Sequence, residues 1–183
     1  HYPEEFYCEL LNNSINNTDK IFIILSEISS QNIEVIPPDI NISNPKFTIN
    51  ENKILYGLSA LKGVGEESMI ELVSNRKEKG KYKSLVDFNK RLSRSVLNKR
   101  QIEKLILSNS FKSIHKDISK LFSNVETIIQ KKDENSLFLD EDDSQFFLNK
   151  KLVKIDHIDA EFESYGFLYS QKKQTSLLSK LNL

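Results

Sequence analysis

The chain has 183 residues, of which 38% are apolar and 28% charged. That length supports one sizeable core or two small ones, and the balance is that of a globular chain. The longest apolar run, Ile21 to Leu25, is too short to cross a bilayer as a helix, and Cys8, the single cysteine, excludes an internal disulfide and fits a reducing, cytoplasmic setting. Formal net charge is zero, but residues 46–116 hold 16 Lys and Arg against 7 Asp and Glu, while the rest hold 10 against 19. A basic middle between acidic flanks is a patterned surface, and it directs attention to anionic partners of the middle. The chain begins at His1 and its only methionine is Met69, so the expectation is a segment of a longer protein.

In chain order, Pro3, Glu4 and Glu5 suit the first turn of a helix whose apolar face would be Phe6, Leu10 and Leu11. Thr18 or Asp19 suits the cap of a second, with Ile21, Ile24, Leu25 and Ile28 at helical spacing. Ile33 to Ile36 reads as an extended segment stopped by Pro37-Pro38. Phe47-Thr48-Ile49 and Ile54-Leu55-Tyr56 alternate around Asn50-Glu51-Asn52, which predicts a β-hairpin. After Leu61-Lys62-Gly63-Val64-Gly65 a helix carrying Met69, Leu72 and Val73 is predicted to about Arg76, followed by a lysine-rich loop over 77–83. Ser84 can cap a helix with Leu85, Phe88 and Leu92 inside, and Asn98 with Gln101 opens one burying Ile102, Leu105 and Ile106. Ser108-Asn109-Ser110 breaks that helix, Asn being the best non-glycine residue for a left-handed turn. One longer helix is expected through Ile118, Leu121, Phe122, Val125, Ile128 and Ile129. Residues 130–151 lose the pattern and read as a polar linker, and a last helix would carry Ile158, Phe162, Tyr165 and Tyr169 on one stripe.

The Gly-Val-Gly stretch holds the chemistry. Two glycines let the backbone approach another surface closely, and the amides opening the next helix have no intrahelical partner and sit at the positive end of its dipole. That is an anion site, and in a helix-hairpin-helix setting the anion is a nucleic-acid phosphate. A plain glycine turn between two helices gives the same string, so the surroundings decide. The histidines lie far apart, and the run Asp140 to Asp143 has no His or Cys support, so neither suggests a metal site. Tyr82 and the phenylalanines are assigned to the core.

Several strings, taken in order, resemble one family, the bacterial DNA polymerase III alpha subunits of polymerase family C. They are His1-Tyr2-Pro3-Glu4-Glu5-Phe6, Asn17-Thr18-Asp19-Lys20, Ile33 to Asn41, Tyr56 to Glu66, Ser84-Leu85-Val86-Asp87-Phe88, Asn98-Lys99-Arg100 and Leu105-Ile106 to Phe111. Ser59 and Asn109 stand where that family usually has Gly, and Lys112 where it has Asp. The resemblance implies a mainly α fold with a small β-hairpin, in which a tandem helix-hairpin-helix region is attached to a helical piece of the fingers domain. Residues 1–57 would be the end of the fingers, 58–115 the hairpin region and 116–132 a connecting helix. A polar linker would follow at 133–151, and 152–183 would lead toward an OB-fold domain. The catalytic palm and its magnesium would lie elsewhere in the parent, so no catalytic residue and no cofactor is assigned to this segment.

The reading that follows is a grip on double-stranded DNA, independent of base sequence. Lys62, Gly63, Val64, Gly65, Ser68, Arg76, Lys77, Lys99 and Arg100 are the candidate contacts, through amides and neutralising charge. The family also carries a sliding-clamp-binding peptide of the form Gln, two variable residues, Leu, Phe. Here the corresponding place reads Glu134-Asn135-Ser136-Leu137-Phe138, so Glu134, Ser136, Leu137 and Phe138 are the candidate clamp contacts. The expected partners are duplex DNA, the sliding clamp and other replicative holoenzyme subunits, and no membrane. A free-standing DNA-binding or repair accessory module, or a scaffold that uses the hairpins for protein contacts, would be built from the same motif.

Overall fold

The computed structural model describes residues 3–93, 95–130, 142–147 and 151–171. Helices dominate: α1 Pro3–Asn13, α2 Thr18–Ser30, α3 Glu66–Lys79, α4 Leu85–Arg91, α5 Lys99–Leu107, α6 Ile118–Ser123, α7 Val125–Gln130 and α8 His157–Tyr165. Three short strands, β1 Val35–Ile36, β2 Thr48–Asn50 and β3 Lys53–Leu55, form one sheet in the order β1-β3-β2. The fold is mainly α with a small sheet, as the sequence reading expects.

The hairpin forms as read, with Thr48 opposite Leu55 and Ile49 opposite Ile54, closed by Glu51 and Asn52 at φ 49° and 60°. What the alternation did not reveal is that Val35 and Ile36 add to β3 as a parallel strand. Beyond them the turn through Asp39–Asn44 ties distant elements together. The Asn41 side chain exchanges hydrogen bonds with Tyr82, its Oδ1 accepting from N at 2.8 Å and its Nδ2 donating to O at 2.8 Å. Asp39 Oδ1 accepts from the Ser113 hydroxyl at 2.8 Å, and the Ile40 amide donates to Ser110 O at 2.9 Å.

The apolar faces of α2, α3, α4 and α5 are buried as their spacing predicts, and Tyr82 is in the core. α1 is rotated from expectation. Tyr7, Cys8 and Leu11 face inward while Phe6 is 61% exposed, because Tyr7 Oη reaches Glu27 at 3.0 Å and Asn12 Nδ2 donates to Phe47 O at 3.0 Å. α3 runs three residues further than Arg76, so Lys77 and Lys79 belong to it rather than to a loop. The single long helix expected beyond residue 116 is two short ones. It breaks at Asn124, where the α6 cap forms and the Asn124 side chain donates to Lys120 O at 2.9 Å.

The linker reading also changes. Residues 142–147 are held on the body: Asp143 accepts the Leu85 and Val86 amides at 3.1 and 3.0 Å, and Phe146 is fully buried. α8 differs as well. Of the expected stripe Tyr165 and Tyr169 are buried but Ile158 and Phe162 are exposed, and the helix buries Ala160 and Ser164 in their place before ending at Gly166. Tyr165 then stacks on Tyr169 at 4.7 Å, and both rings meet Tyr56 edge-on at 5.3 and 5.8 Å. One buried cluster therefore runs from Tyr7 through the sheet and hairpins to Tyr169.

Candidate nucleic-acid interface

Gly63 and Gly65 both have positive φ, 75° and 82°, a region that L side chains rarely adopt. Between them Val64 is fully buried, so the turn is anchored by its one side chain and presents backbone outward. Gly65 caps α3 and has no side chain with which to do it. Among the six helices whose capping residue is described, the other five are capped by Asn17, Ser84, Asn98, Asp117 and Asp156. The start of α3 is thus the one set of helix-opening amides in that group without a side-chain acceptor, on a fourteen-residue helix. Not every amide of the turn is available, since Val64 N–H donates to Leu61 O at 3.4 Å and Lys62 N–H to Ser164 O at 2.8 Å.

The start of α5 lies beside this turn. Asn98 and Gln101 form a capping box, and Gln101 Nε2 also donates to Val64 O and, at 2.9 Å, to Ser68 Oγ. One amide therefore welds the hairpin to the next helix start. Lys99 and Arg100 open α5 and are exposed, as is Lys62 in the turn, and Lys62 and Arg100 both act on the carboxyl of Glu163. Lys99 Nζ meets Glu126 at 2.7 Å, and this contact, with the neighbouring Glu103, keeps its ammonium above the ordinary lysine range.

The structure does not gather the other candidates here. Ser68 is in the first turn of α3 beside the hairpin, but its hydroxyl accepts from Gln101. Arg76 faces inward and is half-buried: its guanidinium donates to Ile40 O and Ser43 O, each at 2.7 Å, and burial lowers its pKa. It holds the Asp39–Asn44 turn and is dropped from the site. Lys77 is exposed but eleven residues along α3, roughly 16 Å from its start. The second turn forms as expected, with Asn109 left-handed at φ 61° and Ser110 N–H donating to Leu105 O at 2.9 Å. It sits at the far end of α5, however, about 14 Å from the α5 start. The clamp candidates Glu134, Ser136, Leu137 and Phe138 lie outside the described residues.

Two features escape a reading of the sequence. Lys104, one turn after Arg100 on α5, is buried to 7% exposure and donates to Glu163 Oε2 at 2.6 Å. Phe162, beside Glu163, is 54% exposed with Lys62 Nζ 5.7 Å from its ring centre. The i, i+4 spacing of Arg100 and Lys104 was visible, but the partner of Lys104 is 59 residues away.

A two-glycine left-handed turn opening an uncapped helix, welded to a second helix start, defines a helix-hairpin-helix protein, and the model of that motif matches residues 32–121. The chain is similar to DNA polymerase III subunit alpha of Buchnera aphidicola subsp. Schizaphis graminum, 36% identical over 131 residues, covering 71% of this chain and 11% of the relative. It is similar to the same subunit of Pasteurella multocida, 36% over 137 residues, 74% and 12%, and of Borreliella burgdorferi, 35% over 130 residues, 71% and 11%. The chain belongs to the DNA polymerase III alpha-subunit family, as a segment spanning 11–12% of the length of these relatives. Among the described residues no helix is long and apolar enough to cross a membrane.

Proposed function

We propose that this segment grips duplex DNA by its phosphate backbone within a replicative DNA-directed DNA polymerase and leaves the nucleotidyl-transfer chemistry, with its magnesium, to the palm. The observation that carries this reading is the uncapped start of α3 behind the Gly63-Val64-Gly65 turn. The Gly63 and Gly65 amides and the first-turn amides of α3 would hold one phosphate, with Lys62, Lys99 and Arg100 neutralising it and its neighbours along the backbone. Such contacts ignore base identity, which suits an enzyme that must slide over any sequence it has just copied. The test is a titration of the chain with random-sequence duplex at several salt concentrations. With three or four phosphates engaged, log affinity should fall against log salt with a slope of roughly −3. A flat salt response, or no binding, overturns the reading.

The same proposal gives Glu134, Ser136, Leu137 and Phe138 the role of a clamp-tethering peptide, in a cytoplasmic holoenzyme with other replicative subunits. Its support is the Leu-Phe pair in a polar surround, ready to enter an apolar pocket on a partner. Replacing Leu137 and Phe138 by Ala should abolish capture of the chain on immobilised clamp, and undiminished capture refutes it.

A further inference from the structure

Lys104 pairs with the Glu163 carboxylate, and Lys62 and Arg100 lie close enough to act on its charge. Arg100 and Lys104 are four apart on α5 and so share a face. Glu163 receives Lys104 Nζ at 2.6 Å, and it is bracketed by Lys62, whose amide donates to Ser164 O at 2.8 Å and whose Nζ lies 5.7 Å from the Phe162 ring. The Lys104 side chain is 9% exposed while that of Glu163 is 59% exposed, so the cation is built into the floor and the anion is the exchangeable partner. The Lys104 hydrogen bond and charge hold the Glu163 carboxyl below the usual carboxylate range, with Lys62 and Arg100 adding to the effect.

We propose that Lys62, Arg100 and Lys104 form a second phosphate subsite of the grip, and that Glu163 occupies it as an internal stand-in for the phosphodiester. The inference rests on the duplex-grip reading and adds a competitor to it. Two of the three cations, Lys62 and Arg100, belong to the hairpin turn and helix start that carry that grip. A carboxylate on a buried lysine offers the same charge and acceptor oxygens as a backbone phosphate. Duplex therefore engages Lys104 only as Glu163 leaves it, and α8 sets the affinity of the site by staying or yielding. A weak internal competitor suits a protein that must hold DNA and still move along it.

The experiment compares duplex affinity and its salt slope for the intact chain, Glu163→Gln, Glu163→Asp and a charge control on α1, Glu9→Gln, with circular dichroism of each. Removing the internal anion should tighten binding about three- to fivefold, the scale of one exposed ion pair. It should also steepen the salt slope by about one phosphate equivalent. Glu163→Asp keeps the charge and withdraws it by one methylene, so it should fall between wild type and Glu163→Gln; it carries the test if the Gln variant does not fold. Glu9→Gln should match wild type. If wild type binds duplex and the folded position-163 variants bind equally or less tightly, or if Glu9→Gln tightens binding as much, the subsite is refuted and the grip stands. If wild type and the variants all fail to bind, the grip reading falls, and this inference with it.

Discussion

At the scale of single residues, Gly65 bears the largest conformational demand. Its φ of 82° with ψ of 139° is a combination that L residues avoid, while an added Cβ would meet only Gln101 Nε2, at 3.5 Å. The cost of Gly65→Ala is therefore backbone strain rather than collision, about 1–3 kcal/mol. We expect a lower urea midpoint by that amount and weaker duplex binding as the α3 start shifts; an unchanged midpoint and affinity would contradict the assigned geometry. Arg76 is the counter-example. In sequence it is a cation in a basic run, but in the fold its donors end on the Ile40 and Ser43 carbonyls and on Asn44 Oδ1. Nothing in the residue type separates these outcomes, because a guanidinium serves carbonyls and phosphates equally well.

At the scale of elements, the start of α4 is finished by a segment far along the chain. Ser84 Oγ accepts the Asp87 amide at 3.1 Å, as the capping pattern predicts, but the Leu85 and Val86 amides go to Asp143. Asp143→Ala should cost about 1–2 kcal/mol, the scale of a lost helix cap, and speed hydrogen exchange at those two amides. Exchange identical to wild type would show that Asp143 does not hold this end. Helix existence was legible wherever a cap residue preceded a 3.6-residue stripe, as in α2, α4 and α5. Orientation was less so. Phe6 in α1 and Ile158 and Phe162 in α8 are apolar at plausible positions yet face outward, because hydrogen bonds by Tyr7, Asn12 and Tyr165 fix which side turns in.

At the scale of the whole molecule, the chain closes on itself through aromatic residues. Tyr165 is 4% exposed, stacks on Tyr169, meets Tyr56 edge-on and donates to Ser108 O at 3.3 Å. Tyr165→Ala should remove about 3–5 kcal/mol, the range for truncating a large buried aromatic and a substantial part of the stability of a domain this size. Thermal unfolding measures it, and a loss under 1 kcal/mol would mean that α8 is not part of the shared core. The sequence by itself determined the mainly helical class, the β-hairpin, the left-handed turns at Gly63, Gly65 and Asn109 and the basic character of residues 46–116. Each is written in local spacing, local charge or the steric needs of a few adjacent residues. Only the tertiary structure decided that Val35–Ile36 is a parallel strand, that Arg76 belongs to the interior, that Gln101 welds two helix starts and that Glu163 pairs with the buried Lys104. Those facts depend on pairs of residues 19 to 59 positions apart. Contacts over such separations follow from packing the whole core, and no local pattern of side chains specifies them.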